Sequence, residues 1–94
     1  MPTIHQESGF TFRFYSNDHL PMHVHAIHGG KECVFLLGEV DTEVNAVGET
    51  ILVILEAPSI RENKSLKPTQ VRRALEIVEA HQQKMILAWH DHLG

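Results

Sequence analysis

The stretch FTFRFYSNDHLPMHVHAIHGGKECVFLL, residues 10–37, decides the fold because apolar and polar side chains alternate along it in three successive segments. In the first segment three aromatic side chains share one face, since successive side chains of a strand point to opposite sides; these are Phe10, Phe12 and Phe14. Gly29 and Gly30 tolerate positive φ and predict a tight hairpin turn. The stretch therefore predicts an antiparallel meander with strands at 10–15, 22–28 and 31–37.

The C-terminal third predicts one long amphipathic helix at about residues 68–92. Pro68 suits the first helical position, and a stripe of side chains at helical spacing follows it. The stripe is apolar except for one glutamine: Val71, Ala74, Leu75, Val78, Gln82, Met85, Ile86, Trp89 and Leu93. Ile77 and Leu87 lie off this stripe, so we expect them to be exposed and to mark a partner surface.

The segment between these two regions is harder to interpret. Residues 38–49 are acidic and predict a loop, whereas TILVILE at residues 50–56 predicts a fourth strand, with a short helix as the alternative. The expected fold class is therefore α+β: a small antiparallel sheet of three to four strands packed against one long C-terminal α-helix. Its length suits a single domain of residues 1–94.

Composition excludes several functional classes. The formal net charge of −4 argues against a nonspecific nucleic-acid binder, although it leaves a local basic patch open. Cys33 is the single cysteine, which excludes a multi-cysteine zinc site. The sequence shows no signal peptide, and its longest apolar run, residues 51–55, is far shorter than the roughly 20 residues of a membrane span. We therefore expect a cytoplasmic protein without a membrane partner.

His23 and His25 are the first candidates for chemistry. They stand two positions apart in a predicted strand, so their imidazoles share a face, which is a typical start of a site for a divalent transition metal such as zinc. Zinc needs one or two further ligands. The candidates for them are Asp18, His19, His28 and His5, or His90, Asp91 and His92 at the helix end. His28 is the poorest of these, because a regular strand directs it to the opposite face.

Other interpretations of these histidines remain open. Two histidines on one sheet face can simply meet water, or can transfer protons with a second donor such as Arg13 or the helix end. His90 and His92 can interact with the dipole at the helix C-terminus instead of a metal ion. Arg72 and Arg73 are candidates for a binding surface, together with Arg13, Ile77 and Leu87.

The chain resembles a family of small bacterial proteins, the domain of unknown function DUF4160. The matching pieces are MPTI at residues 1–4, FRFYSNDHLPMHVHAIHGG at residues 12–30 and RRALEIVEAHQQKMILAWHDHLG at residues 72–94. Met22 stands where the family pattern has a second proline, Lys67 stands where a capping serine is typical, and residues 38–56 look like an insertion. The resemblance implies a small α+β fold and a protein partner encoded nearby, in an arrangement similar to toxin–antitoxin operons.

Three functional hypotheses follow. The first is a protein-binding module that docks on a small protein partner or on another copy of itself, as in a two-gene toxin–antitoxin-like system. The second is a metal-dependent hydrolase or nuclease with His23 and His25 as ligands. The third is metal binding without catalysis, in which the ion joins the helix end to the sheet.

Overall fold

The computed structural model describes residues 3–93, and for Leu93 the backbone alone. The remaining terminal residues of the predicted 1–94 domain, and the Leu93 side chain of the predicted stripe, lie outside the described residues. The described part forms seven strands and two helices: β1 (Thr3–Glu7), β2 (Phe10–Arg13), β3 (His23–His28), β4 (Lys31–Leu36), β5 (Glu39–Val44), β6 (Thr50–Glu56), β7 (Ser59–Asn63), α1 (Pro68–Ala80) and α2 (Gln82–Leu93).

The strands form two antiparallel sheets, so the prediction of one sheet with three to four strands underestimated the number of sheets and the number of strands. The main sheet has the order β1-β2-β3-β4-β7, and β5 pairs only with β6 in a separate hairpin. The predicted meander is its centre, β2-β3-β4. The added strands were missed because TIHQE and SIREN are mostly polar edge strands, and because EVDTEV, predicted to be a loop, is an exposed strand. Such strands lack the apolar alternation that burial imposes.

The predicted single helix is two helices, which is a second correction. They are separated at His81, whose φ of −118° and ψ of 22° are not helical. Its backbone N–H is shared between the carbonyls of Ile77 and Val78, at 3.1 and 3.3 Å, which tightens the turn locally. The helical spacing of the stripe continues across this break, with Gln82 as its polar member, so sequence periodicity did not predict two helices.

The core lies between one face of the main sheet and the two helices. Phe12 and Phe14 are fully buried there, and the Trp89 ring meets Phe14 edge-on with ring centroids 5.3 Å apart. Ile77 is buried too, at 1% exposure, so the prediction that it is exposed was wrong: the buried arc of α1 is wider than the stripe. Leu87 is exposed, as predicted.

The β5–β6 hairpin is held to this core through Gln82, the polar member of the stripe. Its side-chain amide donates to the carbonyls of Leu37 and Glu56 at 2.9 and 2.8 Å, where the chain enters and leaves the open end of the hairpin. Gly38, with a φ of +74°, lets the chain turn into β5 at this point. No helix in the described part is long and apolar enough to cross a membrane.

Candidate metal centre

The loop between β2 and β3 turns the Asp18 carboxylate back onto the sheet. The backbone N–H of Asp18 donates to the Tyr15 carbonyl at 3.1 Å, and the backbone N–H of Tyr15 donates to Asp18 Oδ2 at 2.8 Å. This closed turn fixes one carboxylate oxygen. The other oxygen, Oδ1, is left facing β3.

His23 and His25 project from β3 toward that oxygen. The Nε2 atoms of His23 and His25 lie 3.0 and 3.1 Å from Asp18 Oδ1. Their ligand atoms lie within 4.8 Å of one another. The two histidines are only 5% and 6% exposed, which excludes the interpretation as a solvated sheet face.

The remaining nitrogen of each ring is also engaged. His23 Nδ1 lies 2.8 Å from the Pro21 carbonyl oxygen, and His25 Nδ1 lies 3.0 Å from Glu32 Oε2. The Tyr15 hydroxyl donates to the other Glu32 oxygen at 2.6 Å, and its ring stacks on His25 at 3.8 Å. Contacts of this kind orient metal-binding histidines in known metal sites.

If both imidazoles are neutral, the cluster has fewer N–H groups than contacts with acceptors. Each ring faces an acceptor through both nitrogens, whereas a neutral imidazole has a single N–H. A cation between Asp18 Oδ1 and the two Nε2 atoms would give each of these nitrogens a partner that requires no further proton.

Two of the three spacings in the cluster are close to those of a metal site. Zinc bonds of 2.0–2.1 Å in a tetrahedron place neighbouring ligand atoms about 3.3 Å apart. The two Nε2–Oδ1 distances are 3.0 and 3.1 Å, so a shift of a few tenths of an ångström opens the cluster around an ion. The donor set of two imidazoles and a carboxylate fits zinc and its first-row neighbours.

Electrostatics at the cluster also favours a cation. Burial raises the pKa of Asp18, but hydrogen bonds from Tyr15, His25 and His23 outweigh burial and hold that pKa below its ordinary value. The pKa of Glu32 is lowered in the same way, because donors and the Lys64 ammonium outweigh its burial. Burial and the Glu32 contact raise the pKa of Tyr15 to about 12. Both carboxylates are therefore anionic at neutral pH.

A shallow recess of about 190 Å³ gives access to the two histidines. Its walls carry two cationic side chains, Arg61 and Lys64, together with Val34 and Glu62. Lys64 Nζ lies 3.4 Å from Glu32 Oε2. A small anionic molecule entering the recess would therefore meet two cations, one of them paired with Glu32, and one carboxylate, Glu62, near the histidine pair.

Two of the proposed helix-end ligands, and His19, do not join this cluster. His19 is exposed, and its Nδ1 lies 3.3 Å from the Asn17 carbonyl. His90 is exposed, and His92 Nε2 lies 3.2 Å from the Tyr15 carbonyl. The helix end instead contributes Trp89, whose ring centroid lies 5.2 Å from that of His23.

The three arginines predicted to form a binding surface have different surroundings in the structure. Arg13 pairs with His25 in the β2–β3 register, and its Nε is buried without a hydrogen-bond partner among the described residues. Arg73 donates to Glu7 Oε2 at 3.0 Å, while Arg72 is exposed. No continuous basic surface results from these three positions.

Sequence reasoning missed Glu32 and Tyr15, which orient His25. The register of the β3–β4 hairpin holds the missing signal, because Ile27 pairs with Glu32 across Gly29 and Gly30. Side chains paired across a ladder share a face, which places Glu32 on the face of His25.

A second cluster, formed by His5, Glu7 and His81, has the same residue types but a different balance of protons. The Nε2 atoms of His5 and His81 lie 2.9 and 3.2 Å from Glu7 Oε1. Here Lys84 Nζ donates to His5 Nδ1 at 2.8 Å, and Arg73 donates to the other Glu7 oxygen. Neutral rings satisfy every one of these contacts, so the cluster forms a complete hydrogen-bonded network without a metal ion.

Comparison with known proteins confirms the family resemblance. A family model described as "Domain of unknown function (DUF4160)" matches residues 9–90, which is most of the chain. No curated protein and no solved structure matches the chain. The matched range includes the whole candidate metal centre, the β5–β6 hairpin and α1. The chain therefore belongs to the DUF4160 family.

Proposed function

We propose that the protein is a metal-dependent hydrolase whose metal ion, zinc in the first instance, is bound by Asp18, His23 and His25. One observation carries the proposal: the two Nε2 atoms converge on a single carboxylate oxygen at 3.0 and 3.1 Å while both Nδ1 atoms are already engaged. Imidazoles held in this way are oriented for a metal ion through Nε2.

The number of ligands favours catalysis over a purely structural ion. Structural zinc sites take four protein ligands, whereas catalytic sites take three and keep a position for water or substrate. In residues 3–93, no fourth histidine, cysteine or carboxylate atom joins this group within 4.8 Å of the other three. Bound zinc would lower the pKa of a water in the open position to about 7, which would make that water available as the nucleophile for hydrolysis at neutral pH. The Arg61 and Lys64 side chains at the recess favour an anionic ester as the substrate.

Elemental analysis of tag-free protein, followed by zinc titration, tests the proposal. We expect one zinc ion per chain, lost in the variants Asp18→Asn and His23→Ala and retained in the control His81→Ala. Hydrolysis of nitrophenyl phosphomonoesters, phosphodiesters and carboxylic esters should follow the metal content. Stoichiometric zinc without hydrolysis would support the non-catalytic alternative, and zinc binding that survives both site variants would refute the centre.

A second candidate function, a protein-binding module, is supported by exposed apolar side chains elsewhere in the fold. Leu52 and Leu87, which are 45% and 58% exposed, face each other across a groove of about 250 Å³ between the β5–β6 hairpin and α2. A small cytoplasmic partner, such as the other component of a toxin–antitoxin-like gene pair, is the interaction we expect. Co-purification with the product of the neighbouring gene, lost on Leu87→Asp, is the test.

A further inference from the structure

The β5–β6 hairpin carries apolar side chains that the rest of residues 3–93 leave largely exposed. None of the residues in its two strands is buried. The larger apolar side chains of β6 are 43–59% exposed: Ile51, Leu52, Ile54 and Leu55. A run of uncharged, β-branched and leucine residues in an exposed strand is a template for pairing with another strand.

The molecule is elongated, and the hairpin is a sheet separate from the main one. The described chain extends 48 Å along its longest axis and 20 Å along its shortest. Its radius of gyration is 14.0 Å, against about 12.4 Å for a compact domain of this length. A two-stranded hairpin is marginal in water without further packing, so a partner that completes it would stabilise it.

The two free edges of the hairpin differ in charge. The β5 edge carries Glu39, Asp41 and Glu43, so pairing it with the same strand of a second copy would bring carboxylates together. The β6 edge carries no charge from residue 51 to residue 55. Pairing of identical copies is therefore open to β6 and opposed at β5.

The residues of β6 suit antiparallel pairing with the same strand of a second copy. In an antiparallel pairing centred on Val53, Ile51 opposes Leu55 and Leu52 opposes Ile54 of the other copy. Thr50 then opposes Glu56, so no like charges meet. A two-fold symmetric interface needs this property. If residue i of one copy contacts residue j of the other, then residue j of the first copy must also contact residue i of the second.

We infer that two copies of the chain associate through antiparallel pairing of their β6 strands about Val53, which joins the two hairpins into one four-stranded sheet, β5-β6-β6-β5. This inference rests on the second candidate function above, in which the hairpin is an interaction surface. It identifies the partner at that surface as a second copy of the chain. It is independent of the metal centre.

Sedimentation equilibrium over a range of protein concentrations tests the inference directly. We expect a dimer that dissociates on dilution. Ile51→Glu alone and Leu55→Lys alone should each weaken it by about tenfold or more, because each places an unpaired charge against an apolar residue. An equimolar mixture of the two variants should recover dimer, since Glu and Lys then oppose each other. Both positions are exposed, and circular dichroism confirms that the variants fold.

Oxidative crosslinking checks the register. Val53→Cys should form a disulfide-linked dimer, because the two copies of this residue lie opposite each other at the two-fold axis. Glu43→Cys on the outer strand is the matched control and should remain monomeric on a denaturing gel. A wild-type chain that stays monomeric at every concentration would overturn the inference. If that monomer captured the neighbouring gene product through Leu52 and Leu87, the binding module would stand while the second copy would be rejected.

Discussion

Replacing Asp18 with asparagine is the sharpest test of the metal centre. The substitution keeps the shape of the side chain and its contact with the Tyr15 N–H, but removes the negative charge that faces both Nε2 atoms. Loss of a partner that merely orients a ligand costs about 10–100-fold in metal affinity. Loss of a direct ligand should cost at least the upper end of that range.

The size of the effect follows from mass action. Zinc at 100 times the wild-type Kd stabilises the folded protein by about 2.7 kcal/mol. If Asp18→Asn raises the Kd about 100-fold, the same zinc concentration gives only about 0.4 kcal/mol. The difference of about 2.3 kcal/mol corresponds to about 9–18 °C in Tm for a domain of this size.

Differential scanning fluorimetry with and without zinc measures this difference. The zinc-induced shift is compared within each variant, so changes in the stability of the metal-free protein cancel. Glu7→Gln in the second cluster is the matched control and should keep the full wild-type shift. An equal shift in wild type and Asp18→Asn, or a shift lost only in Glu7→Gln, would refute the assignment.

Three other substitutions probe the surroundings. Glu32→Gln should weaken zinc binding by about 10–100-fold in calorimetry without abolishing it, and an unchanged Kd would show that Glu32 does not orient His25. The His5 hydrogen bond is the main reason that the pKa of Glu7 lies below its ordinary 4.5, so the stability that Glu7 supplies is present above pH 4.5 and lost as the pH falls below it. The gap in Tm between wild type and Glu7→Gln should therefore close below pH 4.5 and persist at pH 6–7. Gly48→Ala should cost about 1–2 kcal/mol for its positive φ alone, since no atom lies within 4 Å of an added Cβ. Gly38→Ala should cost about 1–3 kcal/mol more in urea denaturation, because its Cβ would overlap the Glu56 carbonyl oxygen; equal losses would contradict that contact.

The parts of the fold that the sequence predicted are those that bury an apolar face. Phe10, Phe12 and Phe14 alternate because one side of β2 and the segment after it packs against the helices. By contrast β7, SIREN, pairs with β4 through its backbone alone, and all five of its residues are exposed. Backbone pairing leaves no periodic signal in the side chains, so edge strands of this kind need a structure to be found.

The candidate site, too, was predicted from the sequence only in part. Spacing within β3 predicted that His23 and His25 share a face, since that follows from strand geometry alone. Asp18 was one of several candidates, and the structure selects it through the turn that its carboxylate makes with the Tyr15 N–H. The spacing of residues along the sequence does not show which of the candidate ligands lies next to the two histidines. The helix-end histidines were also candidates from the sequence, although the helix dipole explained them better, and their distance from the cluster depends on how α2 packs.

Residue types alone do not distinguish a metal site from a hydrogen-bonded network. Both clusters place two imidazole Nε2 atoms within 3.2 Å of one carboxylate oxygen. What separates them is the next layer of contacts. At Glu7, Lys84 donates directly to His5 Nδ1 and Arg73 donates to the second carboxylate oxygen, so neutral imidazoles satisfy the contacts of that cluster. At Asp18 the neighbours of the two Nδ1 atoms are a carbonyl and the Glu32 carboxylate, which accept hydrogen bonds from the imidazoles and so orient both Nε2 atoms toward the position of a cation.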